Sequence, residues 1–276
     1  PHVENREVKF KIVGKGYEPM PKDFHPEDGT ISRAVSACPV CGSIVDAKTT
    51  RKLFQEGKTR QKMIAVVLKR PHTTGKRYRI ATERDIQFIT EAREYLKVKR
   101  NKLIQEWGID PIPDEPIPLT MPGGIHTPTY GMTTWGSLFN HRQINSLITF
   151  VENIRRTYRL MLESGYDPNY AKVITSYLSI ALDKVAIYQT SLGYWHNTRE
   201  LVNPGMGRQA LQMAWDYAES NVFNGNADWN SAISWIMKVV THCSSIPVTI
   251  PEGARVTQSS ATSLDYPDNF FDAIFT

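Results

Sequence analysis

Cysteines are scarce in this sequence, and long apolar runs are absent. Only three cysteines occur in 276 residues, too few for a disulfide framework, so a reducing, cytoplasmic location is expected. No stretch approaches the roughly 18 apolar residues of a membrane-spanning helix, and no signal-peptide pattern opens the chain. We therefore expect no membrane partner. The chain starts at Pro1 and stops at Thr276 inside a predicted core strand. This favours an internal segment, with further parts of the same protein upstream and downstream.

Short catalytic motifs are also missing. No Ser/His/Asp order, phosphate-binding loop or paired-acid motif stands out. The chain nevertheless has 41% hydrophobic and 10% aromatic residues, which excludes wholesale disorder. Its net charge of +5 is compatible with a polyanionic partner but does not identify one.

Hydrophobic patterns, together with the Cys38–Cys41 pair, predict an α+β, or mixed, chain in four regions. These are a small zinc-ribbon-like β region (1–80), a basic helix with a Pro-rich connector (81–129), a mainly helical domain (130–252) and two strands of an open α/β sheet (253–276). The predicted strands are Glu7–Val13, Met63–Lys69, Arg77–Ile80, Arg255–Gln258 and Phe270–Phe275. The predicted helices are Thr82–Trp107, Asn140–Glu163, Pro168 to about Gln189, Arg208–Glu219 and Asp228–His242.

Cys38 and Cys41 form the clearest local signal, in the sequence CPVCG. The turn lets two thiolates face one metal, and Gly42 permits the tight backbone. Structural zinc takes four ligands, so this pair is half of a site. The other candidates have no ligand-like spacing: Cys243, His25 and His72. A thioredoxin-type redox pair lacks its usual strand-to-helix setting, so we expect the remaining ligands upstream of Pro1.

The predicted helix from Thr82 carries a basic face. Arg93, Lys97 and Arg100 are the candidate nucleic-acid contacts, and Lys99 and Lys102 are assigned to the same outer face. Two interpretations fit, a solvated surface and a contact with nucleic acid.

Three segments combine aromatic and polar residues: 130–143, 194–196 and 213–217. Aromatic rings beside an arginine suit unstacked bases. Alternatively, the first segment is a helix-entry loop that Trp135, Leu138 and Phe139 anchor to the core. The same two interpretations stay open for Tyr194–His196 and for Met213–Tyr217.

Five segments in this order carry a family resemblance: CPVCG, DEPIP, YGMTTWGSLFNHRQ, MAWDYAESNVF and QSSATSLDYPDNFFDAIFT. Together they resemble the zinc-ribbon-containing, adenine-specific DNA methyltransferases of bacteria and archaea. The resemblance implies methyl transfer from S-adenosylmethionine to adenine N6 in DNA, with structural zinc, a role in DNA modification or restriction, and a Rossmann-like methyltransferase sheet that begins at residues 253–276. Reaction at N6 requires base flipping.

The resemblance also implies which parts are missing from the chain. In that family the strand matching Phe270–Thr276 leads into Asp-Pro-Pro-Tyr, so no catalytic residue is assigned here and the motif is expected just after Thr276. The glycine-rich cofactor motif is expected upstream, which implies that the segment alone is inactive. The cofactor contacts implied within the chain are Ser259, Ser260 and Ala261. A turn that satisfies its own backbone fits these residues equally.

Two other functions stay open. The chain is compatible with a non-catalytic nucleic-acid-binding module of a modification or defence system. It is also compatible with a structural scaffold that braces a catalytic sheet.

Overall fold

Five α-helices, two short 3-10 helices and four small antiparallel sheets occur among the residues that the computed structural model describes. Those residues are 1–25, 28–70, 74–118, 124–207, 210–225, 227–247, 256–257, 259–260 and 262–273. The mixed α/β class predicted from the sequence is therefore confirmed. The chain divides into two compact units, Pro1–Ile236 and Met237–Thr276. The four predicted regions stay predictions.

The elements follow one another from a β-rich beginning to a helical second half. The helices are α1 (Ala47–Gln55), α2 (Glu83–Trp107), α3 (His141–Glu163), α4 (Pro168–Ala186) and α5 (Trp229–Ser244). The strands are β1 (His2–Glu4), β2 (Glu7–Lys9), β3 (Ile31–Ser32), β4 (Val35–Ala37), β5 (Ile44–Val45), β6 (Ala65–Leu68), β7 (Arg77–Ile80), β8 (Tyr194–His196) and β9 (Leu201–Asn203). They pair as β1–β2, β3–β4–β5, β6–β7 and β8–β9.

Local signals explain the hairpin β6–β7 and the helix that follows it. The predicted pairing is confirmed, with Ala65 opposite Ile80. Thr82 caps α2, and its backbone N–H donates to Asp85 Oδ2 at 2.7 Å, as in a capping box. Gly108 ends the helix in the left-handed conformation, φ 71°, which glycine adopts without a steric penalty. Both predicted ends of this helix are confirmed.

Three clusters of buried side chains hold the first unit together. Leu96 and Leu103 of α2 pack with Ile148 of α3. Residues outside the α-helices and the paired strands form a second cluster of Ile117, Leu138, Leu192 and Leu211. A third joins α4 and α5 to the preceding loop through Ala181, Val185, Val222 and Ala232. The first cluster fixes α2 against α3, which positions the candidate site.

The helix predicted over Arg208–Glu219 is wrong for the residues that are described, because 210–219 contain no helical residue. The backbone forms no strand there either, and it bonds to a distant loop, with Ala218 N donating to Gly193 O at 2.8 Å. Trp215, Tyr217 and Glu219, two residues apart, all reach partners far along the chain. A period of two belongs to extended chain rather than to a helix. Tertiary contacts therefore determine the conformation of this segment.

The two predicted closing strands, Arg255–Gln258 and Phe270–Phe275, lie in the second unit and are described only in part. Val256, Thr257 and Phe270–Ala273 are not in a strand. Arg255, Gln258 and residues 274–276 lie outside the described residues. Within the part of the chain that is described, no helix has the length and apolar character needed to cross a membrane.

Candidate nucleic-acid interface

Asn140 fixes the beginning of α3, where the candidate site lies. Its side-chain oxygen accepts hydrogen bonds from the backbone N–H groups of Arg142 and Gln143, both at 3.0 Å. In return, Gln143 Oε1 accepts from Asn140 N at 2.8 Å. This capping box satisfies backbone donors that the first turn of a helix leaves without partners.

The segment MAWDYAESNVF is tied to this helix start by polar side chains. Asn140 Nδ2 donates to Glu219 Oε1 at 2.7 Å and to the Tyr217 hydroxyl at 3.0 Å. Arg142 forms a two-pronged ion pair with Glu219, including an Nε–Oε2 hydrogen bond of 3.0 Å. Such paired donors favour one orientation of the guanidinium. The first turn of α3 is therefore held rigidly.

One further segment of the family resemblance, DEPIP, meets the segment YGMTTWGSLFNHRQ at the same place. Ile117 N of DEPIP donates to Thr133 O at 2.8 Å, and Trp135 N donates to Glu115 O at 3.1 Å. The Tyr130 ring lies edge to face with Trp215, with centroids 5.4 Å apart. Three of the five segments thus form one contiguous structure.

A cationic surface lies where α2 passes the start of α3, and we call Arg93, Lys97, His141 and Arg142 the basic corner. Arg93 and Lys97 are exposed and one helical turn apart. Partial desolvation and then the positive charges of Arg93, Arg142 and Lys97 lower the pKa of His141 below its ordinary value. Desolvation is the largest cause of this shift, although the side chain of His141 keeps an exposed surface. The smaller, Coulombic part of the shift comes from the three cations around the imidazole.

The candidate contacts differ in how far their charge is already neutralised. Lys97 Nζ lies 2.9 Å from Glu94 Oε1 in an exposed pair, which costs little to break in water. Arg100 is held by two oxygens of Asp110, with Nε–Oδ2 at 2.9 Å. The Asp110 hydrogen bonds raise the pKa of Arg100. No ion pair to Arg93 is found among the described residues, so Arg93 and Lys97 are the better candidates and Arg100 the weaker one.

The assignment of Lys99 to the outer face is wrong. Its side chain is 7% exposed, with Nζ 2.9 Å from Glu152 Oε2 and 2.7 Å from Thr149 Oγ1. Lys99 lies on the α3 side of the helix because it is three residues from buried Leu96 and four from buried Leu103. Lys102 is exposed and shares the same carboxylate at 3.4 Å.

The structure brings Cys38 and Cys41 together at the tip of the hairpin β4–β5. Cys38 N donates to Ser43 O, and Gly42 N donates to Cys38 O, both at 2.8 Å. The Ser43 side chain, followed by its backbone and the Cys38 thiol, lowers the pKa of the Cys41 thiol by hydrogen bonding. A lowered pKa favours the thiolate that metals bind. The two sulfurs fit half of a zinc site, and no group of three metal-ligating side chains is found in the described part of the chain.

Ser259 and Ser260 lie in the second unit and are exposed, whereas Ala261 lies outside the described residues. Ser260 Oγ contacts Thr262 Oγ1 at 2.9 Å and accepts from Thr262 N at 3.3 Å. The Ser260 hydroxyl therefore hydrogen-bonds within its own turn, as the alternative interpretation of these residues expects.

The aromatic segments mostly anchor loops. Leu138 is fully buried, and Phe139 packs against its cluster, whereas Trp135 stays 37% exposed. Trp195 lies edge to face with Tyr78 and under Lys76, whose Nζ is 4.9 Å from the ring centroid. His196 Nδ1 accepts from Arg199 N at 3.3 Å. Anchoring is therefore the better description of Leu138 and Phe139.

No protein-family model matches the chain, and neither a curated protein nor a solved structure shows significant similarity to it.

Sequence reasoning missed His141 and Arg142 as members of the basic corner. Both stand within the quoted segment NHRQ, and the capping pattern of Asn140 and Gln143 places them in the first turn of α3. That position was the available signal. Their nearness to Arg93 and Lys97 depends on the packing of two helices some 50 residues apart, which the sequence alone does not give.

Proposed function

We propose that this chain is a segment of an S-adenosylmethionine-dependent DNA methyltransferase that modifies adenine N6, and that its basic corner contacts the DNA backbone. The observation that carries the DNA contact is the exposed pair Arg93 and Lys97 beside the first turn of α3. Phosphate oxygens are favoured by lysine and arginine and by the positive end of a helix. Contacts of this kind position a protein on DNA without reading the base sequence.

The Cys38–Cys41 turn contributes two thiolate ligands of a structural zinc in this proposal. The hairpin geometry and the lowered pKa of Cys41 support this part. The other two ligands come from a segment upstream of Pro1. When bound, the metal stabilises the fold and performs no chemistry in the reaction.

Methyl transfer and binding of S-adenosylmethionine rest on the family resemblance alone. The proposal places the catalytic motif beyond Thr276 and the return to a Rossmann-like sheet at 253–276. It also keeps a cytoplasmic location. A structural scaffold is the second candidate, because Arg142, Lys99 and Arg100 already serve internal ion pairs.

Binding of duplex DNA separates the two candidates. The double variant Arg93→Ala/Lys97→Ala removes two exposed charges. Lys102→Ala removes one exposed charge that lies nine residues after Arg93, about half a turn around the same helix. At low salt, fluorescence anisotropy is expected to show duplex affinity at least about tenfold weaker in the double variant. The Lys102 variant is expected to bind like the unmodified protein. Equal affinity of all three proteins would leave the scaffold as the better account.

A further inference from the structure

A cleft of about 410 Å³ opens between the end of α2, the second half of α3 and the middle of α4. This volume is within the range of small-molecule sites. Ile154 of its lining lies thirteen residues after His141, roughly 20 Å along α3. The cleft is therefore separate from the basic corner, and it belongs wholly to the first unit.

In one wall of the cleft, a guanidinium lies over an aromatic ring, and we call Arg155 and Trp107 the platform. The Arg155 guanidinium carbon lies 4.5 Å from the centroid of the Trp107 ring. Both groups line the cleft, and Trp107 is partly buried. Nucleobases stack on aromatic rings and on guanidinium planes alike. The platform therefore suits a planar ring.

The α4 wall offers hydrogen-bond acceptors. The hydroxyls of Thr175, Ser176 and Ser179 each donate one helical turn back, to the carbonyls of residues 171, 172 and 175 at 2.8–2.9 Å. Since a hydroxyl has one hydrogen, its oxygen keeps lone pairs for another donor. An exocyclic amino group of a base is such a donor.

The cleft carries one net positive charge. Arg159 pairs with Glu106 at 3.6 Å, so these two lining charges offset each other. Arg155 has no carboxylate partner among the described residues. Its N–H groups lie in the guanidinium plane, so they do not block stacking on the side of the ion that faces away from Trp107. A phosphate group would satisfy both the charge and these donors.

We infer that this cleft binds a nucleotide whose base carries an amino group. The base stacks on the platform of Trp107 and Arg155, its amino group donates to the α4 hydroxyls, and its phosphate offsets the Arg155 charge. A free mononucleotide and an unstacked nucleotide of a single strand share this chemistry. The inference does not depend on the basic corner or on methyl transfer.

Calorimetric titration of the full chain with AMP, adenosine and ribose 5-phosphate tests the inference. AMP is expected to bind at least about tenfold more tightly than adenosine or ribose 5-phosphate, because base and phosphate contacts act together. A single-stranded oligo(dA) that AMP displaces would identify a strand as the source, whereas binding of AMP without the oligonucleotide would identify a free nucleotide. Either result supports the site.

Variants assign the binding to the cleft. Arg155→Ala is expected to weaken AMP binding about tenfold or more. Arg155→Lys is expected to keep the affinity for ribose 5-phosphate but to bind AMP no more tightly than ribose 5-phosphate. Ser176→Ala removes an exposed hydrogen-bond acceptor. It is expected to weaken the binding of adenosine and to leave the binding of ribose 5-phosphate unchanged. Arg156→Ala is the matched control, because Arg156 is the next residue on α3 and does not line the cleft.

Two results would overturn the inference. One is the absence of AMP and oligo(dA) binding at millimolar concentration by a protein whose circular dichroism is that of the folded chain. The other is an equal loss of AMP affinity in the Arg155→Ala and Arg156→Ala variants.

Discussion

Lys99 shows that the position of a charge on a helix does not reveal its partner. The residue belongs to a basic run, yet its ammonium group is buried against Glu152 and Thr149. A buried charge is tolerated only when it is paired and hydrogen-bonded. Residue spacing alone could not identify Glu152, which lies 53 positions further along the chain.

Glu152→Gln is expected to destabilise the protein, because it leaves the Lys99 ammonium group without its anion. We expect a loss of about 2 kcal/mol in the free energy of unfolding, below the 3–5 kcal/mol of a fully buried pair because Glu152 is partly exposed. Glu94→Gln is the control, since it breaks only the exposed pair with Lys97 and should cost under about 0.5 kcal/mol. Denaturant unfolding measures both. Equal effects of the two substitutions would refute the role of the buried pair.

The lowered pKa of His141 predicts that the stability of the protein depends on pH. The folded-state pKa is lowered by desolvation and by neighbouring cations, so between that pKa and the unfolded value of about 6.5 the unfolded chain binds more protons. Stability is therefore expected to fall as pH drops through about 6.5. His141→Gln should reduce this dependence, measured as the difference in unfolding free energy between pH 7.5 and 5.5. Identical differences in the two proteins would speak against the charge cluster.

At the scale of elements, the ends of a helix were predictable from the sequence where capping residues next to them set those ends. Thr82 with Asp85 and Gly108 specify both ends of α2, and Asn140 specifies the start of α3. The segment 210–219 was predicted wrongly because its partners are distant: Asn140 and Glu219 are 79 positions apart. The alternation of Trp215, Tyr217 and Glu219 was the visible signal of a non-helical segment.

Asn140→Ala tests the junction between α3 and the segment 210–219. The substitution removes the helix cap and the bonds to Tyr217 and Glu219, so we expect a loss of about 2–3 kcal/mol in unfolding free energy. Asp167→Ala at the exposed start of α4 is the matched control, because Asp167 only caps its helix and should cost about 1 kcal/mol. A loss no larger in Asn140→Ala would mean that the contacts of Asn140 with the segment contribute nothing to stability.

At the scale of the whole molecule, the mixed α/β class and the positions of the main helices were predictable from the sequence. Their boundaries follow from capping residues and from apolar residues at helical spacing. The basic corner was not, since it requires the packing of α2 on α3 through Leu96, Leu103 and Ile148. Two of its members, Arg93 and Lys97, were selected correctly as exposed charges, whereas the Asp110 clamp on Arg100 was invisible to sequence reasoning.

The salt dependence of duplex DNA binding tests the central claim most directly. If Arg93 and Lys97 each neutralise one phosphate, the slope of log K against log salt concentration should be shallower by about 1.8 in Arg93→Ala/Lys97→Ala than in the unmodified protein. Lys102→Ala should keep the original slope. Parallel lines for the unmodified protein and the double variant would contradict the account, because the basic corner would then release no counterions when DNA binds.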